Sequence, residues 1–168
     1  MHTAALHNCT NFITKYLANY SQGRIRVLDV GSLDLNGSLK QLFDDKKYEY
    51  IGVDIAHGKN VNIVLKDPYK YPFADNEFDV VVSTSCFEHN EMFWLSFNEM
   101  VRSTKNGGFM FISAPYKDGP HPNPVDCWRF LVDGYKALAK WNKQAKFLEG
   151  FVDSRPHRDC VGIFKIVK

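Results

Sequence analysis

The sequence predicts an α/β fold: a mostly parallel sheet with helices on both faces, closing on a C-terminal antiparallel hairpin. Two observations predict it. Short apolar, β-branched runs alternate along the chain with segments whose apolar residues recur at helical spacing, the pattern of strand–helix–strand units. The last two strand-like runs, 147–153 and 160–167, are joined by a stretch too short for a crossover helix, so they pair as a hairpin with a loop. The 168 residues amount to a single domain, 1–168, able to bury roughly 70% of its unfolded surface without staples.

Each element has its own signal. Leu6, Phe12, Ile13, Tyr16, Leu17 and Tyr20 recur near helical spacing, so a leading helix is expected over 3–20, within a leading segment 1–22. Residues 26–30 form a buried strand run stopped by Gly31. Residues 37–47 read as a helix, with Leu39, Leu42 and Phe43 on one side. Strands follow at 48–55, 61–65 and 78–83, the last with three consecutive valines, as a strand buried on both faces requires. A helix is expected over 91–103, a turn at Asn106-Gly107-Gly108, and a fifth strand over 109–114. A proline-rich loop, 115–130, carries Pro115, Pro120, Pro122 and Pro124, and a helix is expected from 128 to 140.

Composition narrows the function. With 45% hydrophobic and 24% charged residues, disorder, collagen and coiled coil are excluded as the main state. The net charge of +2 gives no nucleic-acid field. The distribution is uneven: residues 1–100 carry 9 basic and 13 acidic side chains, residues 101–168 carry 12 and 6. Four cysteines, at 9, 86, 127 and 160, form no C-x-x-C pair, and no histidine pair completes a zinc set, so no metal is expected. His121 with His157 lacks ligand spacing. The thiols read as free, in a reducing compartment. No stretch approaches 18 apolar residues, so nothing is expected to cross a membrane, and the cytoplasm is the expected location.

In a parallel sheet ligands bind beyond the C-terminal strand ends, where strand order switches. The turn after the first strand is Val27-Leu28-Asp29-Val30-Gly31-Ser32. It is not G-x-G-x-x-G, since Ser32 and Leu33 stand where later glycines would cradle a pyrophosphate, which disfavours NAD and an oxidoreductase. Asp54 closes the second strand, 23 residues after Gly31, where a carboxylate can accept from both hydroxyls of a ribose. Then come Asp67-Pro68, Pro72-Phe73, Asp75-Asn76 and Phe78-Asp79-Val80-Val81, and after the fourth strand Phe87-Glu88-His89.

This series, with the Lys105-Asn106-Gly107-Gly108 turn, resembles class I S-adenosylmethionine-dependent methyltransferases, the type 11 group nearest, over about residues 25–140. The segment from Asp118 to Phe130 looks like that of a subgroup often associated with surface-glycan pathways. The resemblance implies a Rossmann-like, seven-stranded methyltransferase sheet and S-adenosylmethionine as cofactor. It implies that Asp29, Gly31 and Ser32 approach the methionine part, Asp54 the ribose and Asp67 the adenine amino group. Ile55 and Phe73 would pack on the adenine faces, and Glu88-His89 would face the transferable methyl. Pro68, lacking an N–H, departs from the pattern. His89 and His121 are the candidate general bases, and Asp126, which shares the substrate loop with His121, is the third catalytic candidate, to bind or deprotonate the acceptor. The expected acceptor is a small molecule or glycan, methylated at oxygen or nitrogen. Its pocket would come from the leading helix, the 115–130 loop and, in a homodimer, a second subunit. The rival reading from another class is a non-catalytic member that binds the cofactor or a partner.

Overall fold

A computed structural model describes residues 3–20, 23–156 and 158–168; His157 lies outside the described residues. The strands are β1 (Ile25–Val30), β2 (Tyr48–Asp54), β3 (Ile63–Val64), β4 (Phe78–Thr84), β5 (Thr104–Pro115), β6 (Ala145–Val152) and β7 (Asp159–Ile166). They form one sheet in the order β3-β2-β1-β4-β5-β7-β6. β1 pairs in parallel with β2 and β4, and β4 in parallel with β5. β7 runs antiparallel between β5 and β6. Every residue of β4 is buried, which is why Val80, Val81 and Val82 follow one another at its centre without alternation.

Alternation appears instead in the partners of each strand. Ile25, Val27, Val80, Val82, Phe109 and Phe111 meet Cys9, Phe12 and Leu17 on one face. Leu28, Val30, Val81, Met110, Ile112 and Phe164 meet Phe97, Met100, Tyr135 and Leu138 on the other. The first face is covered by α1 (Thr3–Phe12), the second by α2 (Phe93–Ser103) and α3 (Val132–Trp141). α1 is also tied to the far end of the chain. Asn8 Nδ2 donates to Asp153 Oδ2 at 2.7 Å, and Arg155 donates to both Asp153 and the Asn8 side-chain oxygen.

Four expectations are corrected. The leading helix does not run regularly to residue 20: α1 ends at Phe12 and a π turn covers Ile13–Leu17. There the Thr10 and Thr14 hydroxyls bond back to the carbonyls of Leu6 and Thr10, which loosens helices. The turn presents Lys15 and Tyr16 to Glu149. Residues 37–47 are not an α-helix but a 3₁₀ turn, Leu39–Phe43. Gly37 is left-handed at φ 118, Ser38 caps Lys40 N, and Asp45 takes the N–H of Lys47 with its side chain and of Tyr48 with its carbonyl. The last helix begins at Val132 rather than 128: Leu131 is still extended, at φ −114 and ψ 154, and Cys127 N, Trp128 N and Phe130 N tie the segment before it to Glu88 O and Pro115 O. The turn at 106–108 is absorbed into β5 as an irregularity of its register with β4. Asp79 is structural: it accepts from Arg26 N and pairs with Lys105.

All four cysteines are free, and no helix among the described residues is long and apolar enough to cross a membrane. The packing of α3 on β7 is tight at one point: a Cβ on Gly162 would lie 2.7 Å from two carbons of the fully buried Tyr135 ring. Gly162→Ala is expected to destabilise by about 1–3 kcal/mol, lowering the thermal midpoint by roughly 2–4 °C per kcal/mol, as read by circular dichroism melting.

Candidate active site

β1 is the strand from which the chain departs in both directions, first to β2 and β3, later to β4 on its other side. A crevice opens beyond the C-terminal strand ends at such a switch, and here it forms one cleft of two connected lobes, of about 390 and 310 Å³. Asp29, Ser32, Glu88 and His121 line the first lobe. Asp54, Ile55, Pro68 and Tyr69 line the second. Gly31, Leu33, Ser85 and His89 belong to both.

The turn after β1 sets the floor. Gly31 sits at φ +80, and a Cβ there would lie 2.5 Å from Cys86 Cβ, so both backbone freedom and the missing side chain are needed. Across the floor Ser85 is also left-handed at φ 49, a strained state for a residue with a Cβ and one that clusters at binding sites. Asp29 is 3% exposed. Tyr50 Oη donates to its Oδ2 at 2.7 Å, while its Oδ1 has no partner. Burial pushes the Asp29 carboxyl up to about 7, the Tyr50 hydroxyl opposes, and the charge of Asp54 adds to the rise. Asp54 accepts from Leu33 N and Ala56 N, which fixes its carboxylate at the end of β2.

Glu88 and His89 lie on the 3₁₀ turn Phe87–His89 that follows β4. The 115–130 loop is clamped over this turn. Cys127 N and Trp128 N donate to Glu88 O, Trp128 Nε1 to Asn90 O, and His89 Nδ1 to Val125 O at 2.6 Å. Arg129 holds the loop together from inside. Its five N–H donors reach Asp118 O, Gly119 O, Trp128 O and both oxygens of Asp126. Asp126 Oδ2 also accepts from His121 N at 2.7 Å, and these bonds hold its carboxyl well below the usual carboxylate range, Arg129 contributing most. His121 is thereby brought to Glu88. Glu88 is fully buried and neither side-chain oxygen has a hydrogen-bond partner; burial pushes its carboxyl up to about 8.

The cleft therefore gathers Asp29, Gly31, Ser32, Asp54, Ile55, Glu88, His89 and His121. Asp126 stands behind His121. Two expected residues are not brought there. Phe73 packs edge-on against Phe78 at 4.8 Å, the first residue of β4 and so the opposite end of the sheet. Asp67 is exposed, its carboxylate accepts from Tyr69 N, and Pro68 and Tyr69 line the cleft in its place. Sequence reasoning missed Tyr50 and Ser85. Strand alternation could have found Tyr50: Val27 lies beside Tyr50 and Asp29 beside Gly52, so the ring shares a face with Asp29 where Gly52 leaves room.

A family model described as a methyltransferase domain matches residues 8–112. The chain belongs to this methyltransferase family. A relative in Mycobacterium leprae, named an uncharacterized methyltransferase, is 35% identical over 109 residues, covering 58% of this chain and 39% of that protein. Another uncharacterized methyltransferase, from Mycolicibacterium gilvum, is 26% identical over 135 residues, covering 74% of this chain and 52% of that protein. The chain thus spans about half the length, or less, of these curated relatives. Among solved structures, the Burkholderia thailandensis 1,6-didemethyltoxoflavin-N1-methyltransferase, with its substrate and S-adenosylhomocysteine bound, superposes with a TM-score of 0.75 at 15% identity, over 98% of this chain and 79% of that one. That likeness shows the Rossmann-like methyltransferase fold. S-adenosylmethionine is the cofactor of this methyltransferase domain, and the cleft suits it: a buried, unpartnered carboxylate oxygen beside a glycine turn matches an ammonium group.

The clamp on the loop gives a first test of the site. Asp126→Ala is expected to free the 118–129 segment and speed tryptic cleavage after Lys117 several-fold, while the melting of the sheet, followed by circular dichroism, stays close to that of the parent chain.

Proposed function

We propose that the chain transfers the methyl group of S-adenosylmethionine to an oxygen or nitrogen of a small-molecule or carbohydrate acceptor held in the first lobe, beneath the 115–130 loop. One observation carries this reading. Of the five buried side-chain polar atoms without a hydrogen-bond partner among the described residues, four belong to the first lobe: Asp29 Oδ1, Ser32 Oγ and both oxygens of Glu88. Buried polar atoms are rarely left unpaired, so these fit a polar guest.

The cofactor, when bound, supplies a methyl group already activated by its sulfonium. Asp29 Oδ1 receives the ammonium group. The remaining lone pairs of Asp54 receive ribose hydroxyls, and Ile55, more than half exposed at 55%, gains cover from the adenine together with Pro68 and Tyr69. Alignment of the acceptor with the methyl supplies most of the rate. Both histidines donate through Nδ1, His89 to Val125 O and His121 to Gly119 O, so each keeps an Nε2 lone pair free to take a proton from a hydroxyl acceptor. Asp126 is a positioning residue that fixes His121. The polar lining by Asn36, Ser38, His121 and Asn123 suits a hydroxyl-rich acceptor, and the resemblance of the loop to a glycan-associated subgroup supports a carbohydrate.

Ligand-induced stabilisation tests the reading. S-adenosylhomocysteine at 100 times its dissociation constant should add about 2.7 kcal/mol, several degrees at roughly 2–4 °C per kcal/mol. The shift should vanish in Asp54→Ala and be absent with NAD. No shift with either adenosyl-sulfur compound at millimolar concentration sinks the proposal.

The Asp29 carboxyl adds a pH signature. An unfolded aspartate loses its proton near pH 4, the folded one near 7. Between these values the folded state holds the extra proton, so rising pH costs the ligand-free protein stability. An ammonium group favours the ionised carboxylate. Affinity for S-adenosylhomocysteine should therefore climb by up to about tenfold per pH unit below 7 and level off above it. Calorimetric titration should show a proton released on binding at pH 6, and Asp29→Asn should flatten both effects.

A further inference from the structure

We propose that Glu88, His89 and His121 form a binding site for one divalent transition-metal ion of the zinc type, with a coordination position left open to the cleft. One potential ligand atom from each lies within 4.8 Å of the others. Glu88 Oε1 is 3.7 Å from His89 Nε2 and 3.9 Å from His121 Nε2. These separations are too long for hydrogen bonds and a few tenths of an ångström wider than the edge, about 3.4 Å, of a tetrahedral site with bonds of about 2.0–2.2 Å. Closing the difference takes a shift of both imidazoles toward Glu88, by a few tenths of an ångström each along these two edges.

The orientation of the rings is the second observation. A carbonyl oxygen only accepts, so the bonds to Val125 O and Gly119 O place the proton of each imidazole on Nδ1. Both Nε2 atoms, left with a lone pair, then lie within 4 Å of the same carboxylate oxygen. Metal-binding histidines are held in this way, with the far nitrogen donating to a carbonyl or carboxylate. The third observation is Glu88 itself, fully buried with both oxygens unpartnered. Nearby cationic charge does not relieve it by contact, because the Arg129 donors are taken up by the loop and Asp126.

Two imidazoles and one carboxylate suit zinc, cobalt or iron, whereas magnesium and calcium take oxygen ligands. Three protein ligands leave at least one position for an oxygen donor. With the ion bound, both histidines are ligands rather than bases; an acceptor hydroxyl could then occupy the open position, be acidified by the ion and lose its proton to solvent; that last step rests on the methyl-transfer reading, but binding of the ion does not. The sequence conceals the site because His89 and His121 stand 32 positions apart and meet only when the loop folds back over the β4 turn.

The test is titration of the chelator-stripped full chain, without cofactor, with Co²⁺ followed by absorption and with Zn²⁺ against a chromophoric chelator. One ion per chain is expected, Zn²⁺ displacing Co²⁺ and Mg²⁺ failing to do so. His121→Ala and Glu88→Gln should each weaken binding by at least about tenfold. Cys127→Ser, removing an exposed thiol in the same loop, should leave it unchanged. His121 is on an exposed loop, so its variant keeps the test sound should Glu88→Gln fold poorly. Absence of stoichiometric binding, or binding undiminished in His121→Ala, overturns the inference. The shift with S-adenosylhomocysteine is read separately. An ion without that shift sinks the methyl-transfer reading alone, and the shift without an ion sinks the metal site alone.

Discussion

The parallel pairing of β1 with β4 is the constraint on which the rest depends. Because β2 and β3 lie on one side of β1, and β4 with everything after it on the other, no connection crosses the ends of these two central strands. The turn after β1 and the turn after β4 must face each other over a gap. Their closeness is measured by the approach of Gly31 to Cys86, which admits no side chain on the glycine, and the other turn passes through a left-handed serine, Ser85. A narrow floor of exposed backbone results, flanked by the side chains that end each strand.

That floor concentrates like charge. Asp29, Asp54 and Glu88 come from three separate strand ends, and two of them are nearly or fully buried. Burial raises the carboxyls of both Asp29 and Glu88, with Asp54 adding to the first and Asp159 and Asp126 to the second, the kind of shift that gathers at functional sites. A guest with positive charge relieves it. The family's cofactor has such charge at two places, its ammonium and its sulfonium. The remaining wall has no helix or strand to build it. The 115–130 loop takes that part, held by one arginine inside and by backbone donors to the carbonyl of Glu88 outside.

Much of this was legible in the sequence, and the parts that were not share a cause. The central strands announce themselves because burial on both faces demands runs such as Val80-Val81-Val82. Asp29, Gly31, Asp54 and Glu88 were legible because strand ends fix their position whatever the rest of the chain does. Phe73 was misplaced because sequence order gives its distance from β4 but not which end of the sheet it meets. The stretch 37–47 has helical apolar spacing, yet Asp45 offers its side chain and carbonyl to the backbone and closes a turn. The approach of His121 to Glu88 depends on where a loop's hydrogen bonds end, and no local pattern encodes that.

The tie between Asn8 and Asp153 spans 145 positions, and it has a consequence for how the chain acquires its shape. Contacts of such long range are costly to close early, and domains assemble as they emerge from the ribosome, N-terminal part first. The leading helix is made before the β6–β7 turn that carries its partners Asp153 and Arg155. Until that hairpin forms, the apolar stripe of Cys9, Phe12 and Leu17 has only part of its landing place. The helix therefore cannot complete its tie to the sheet until a segment made much later has folded.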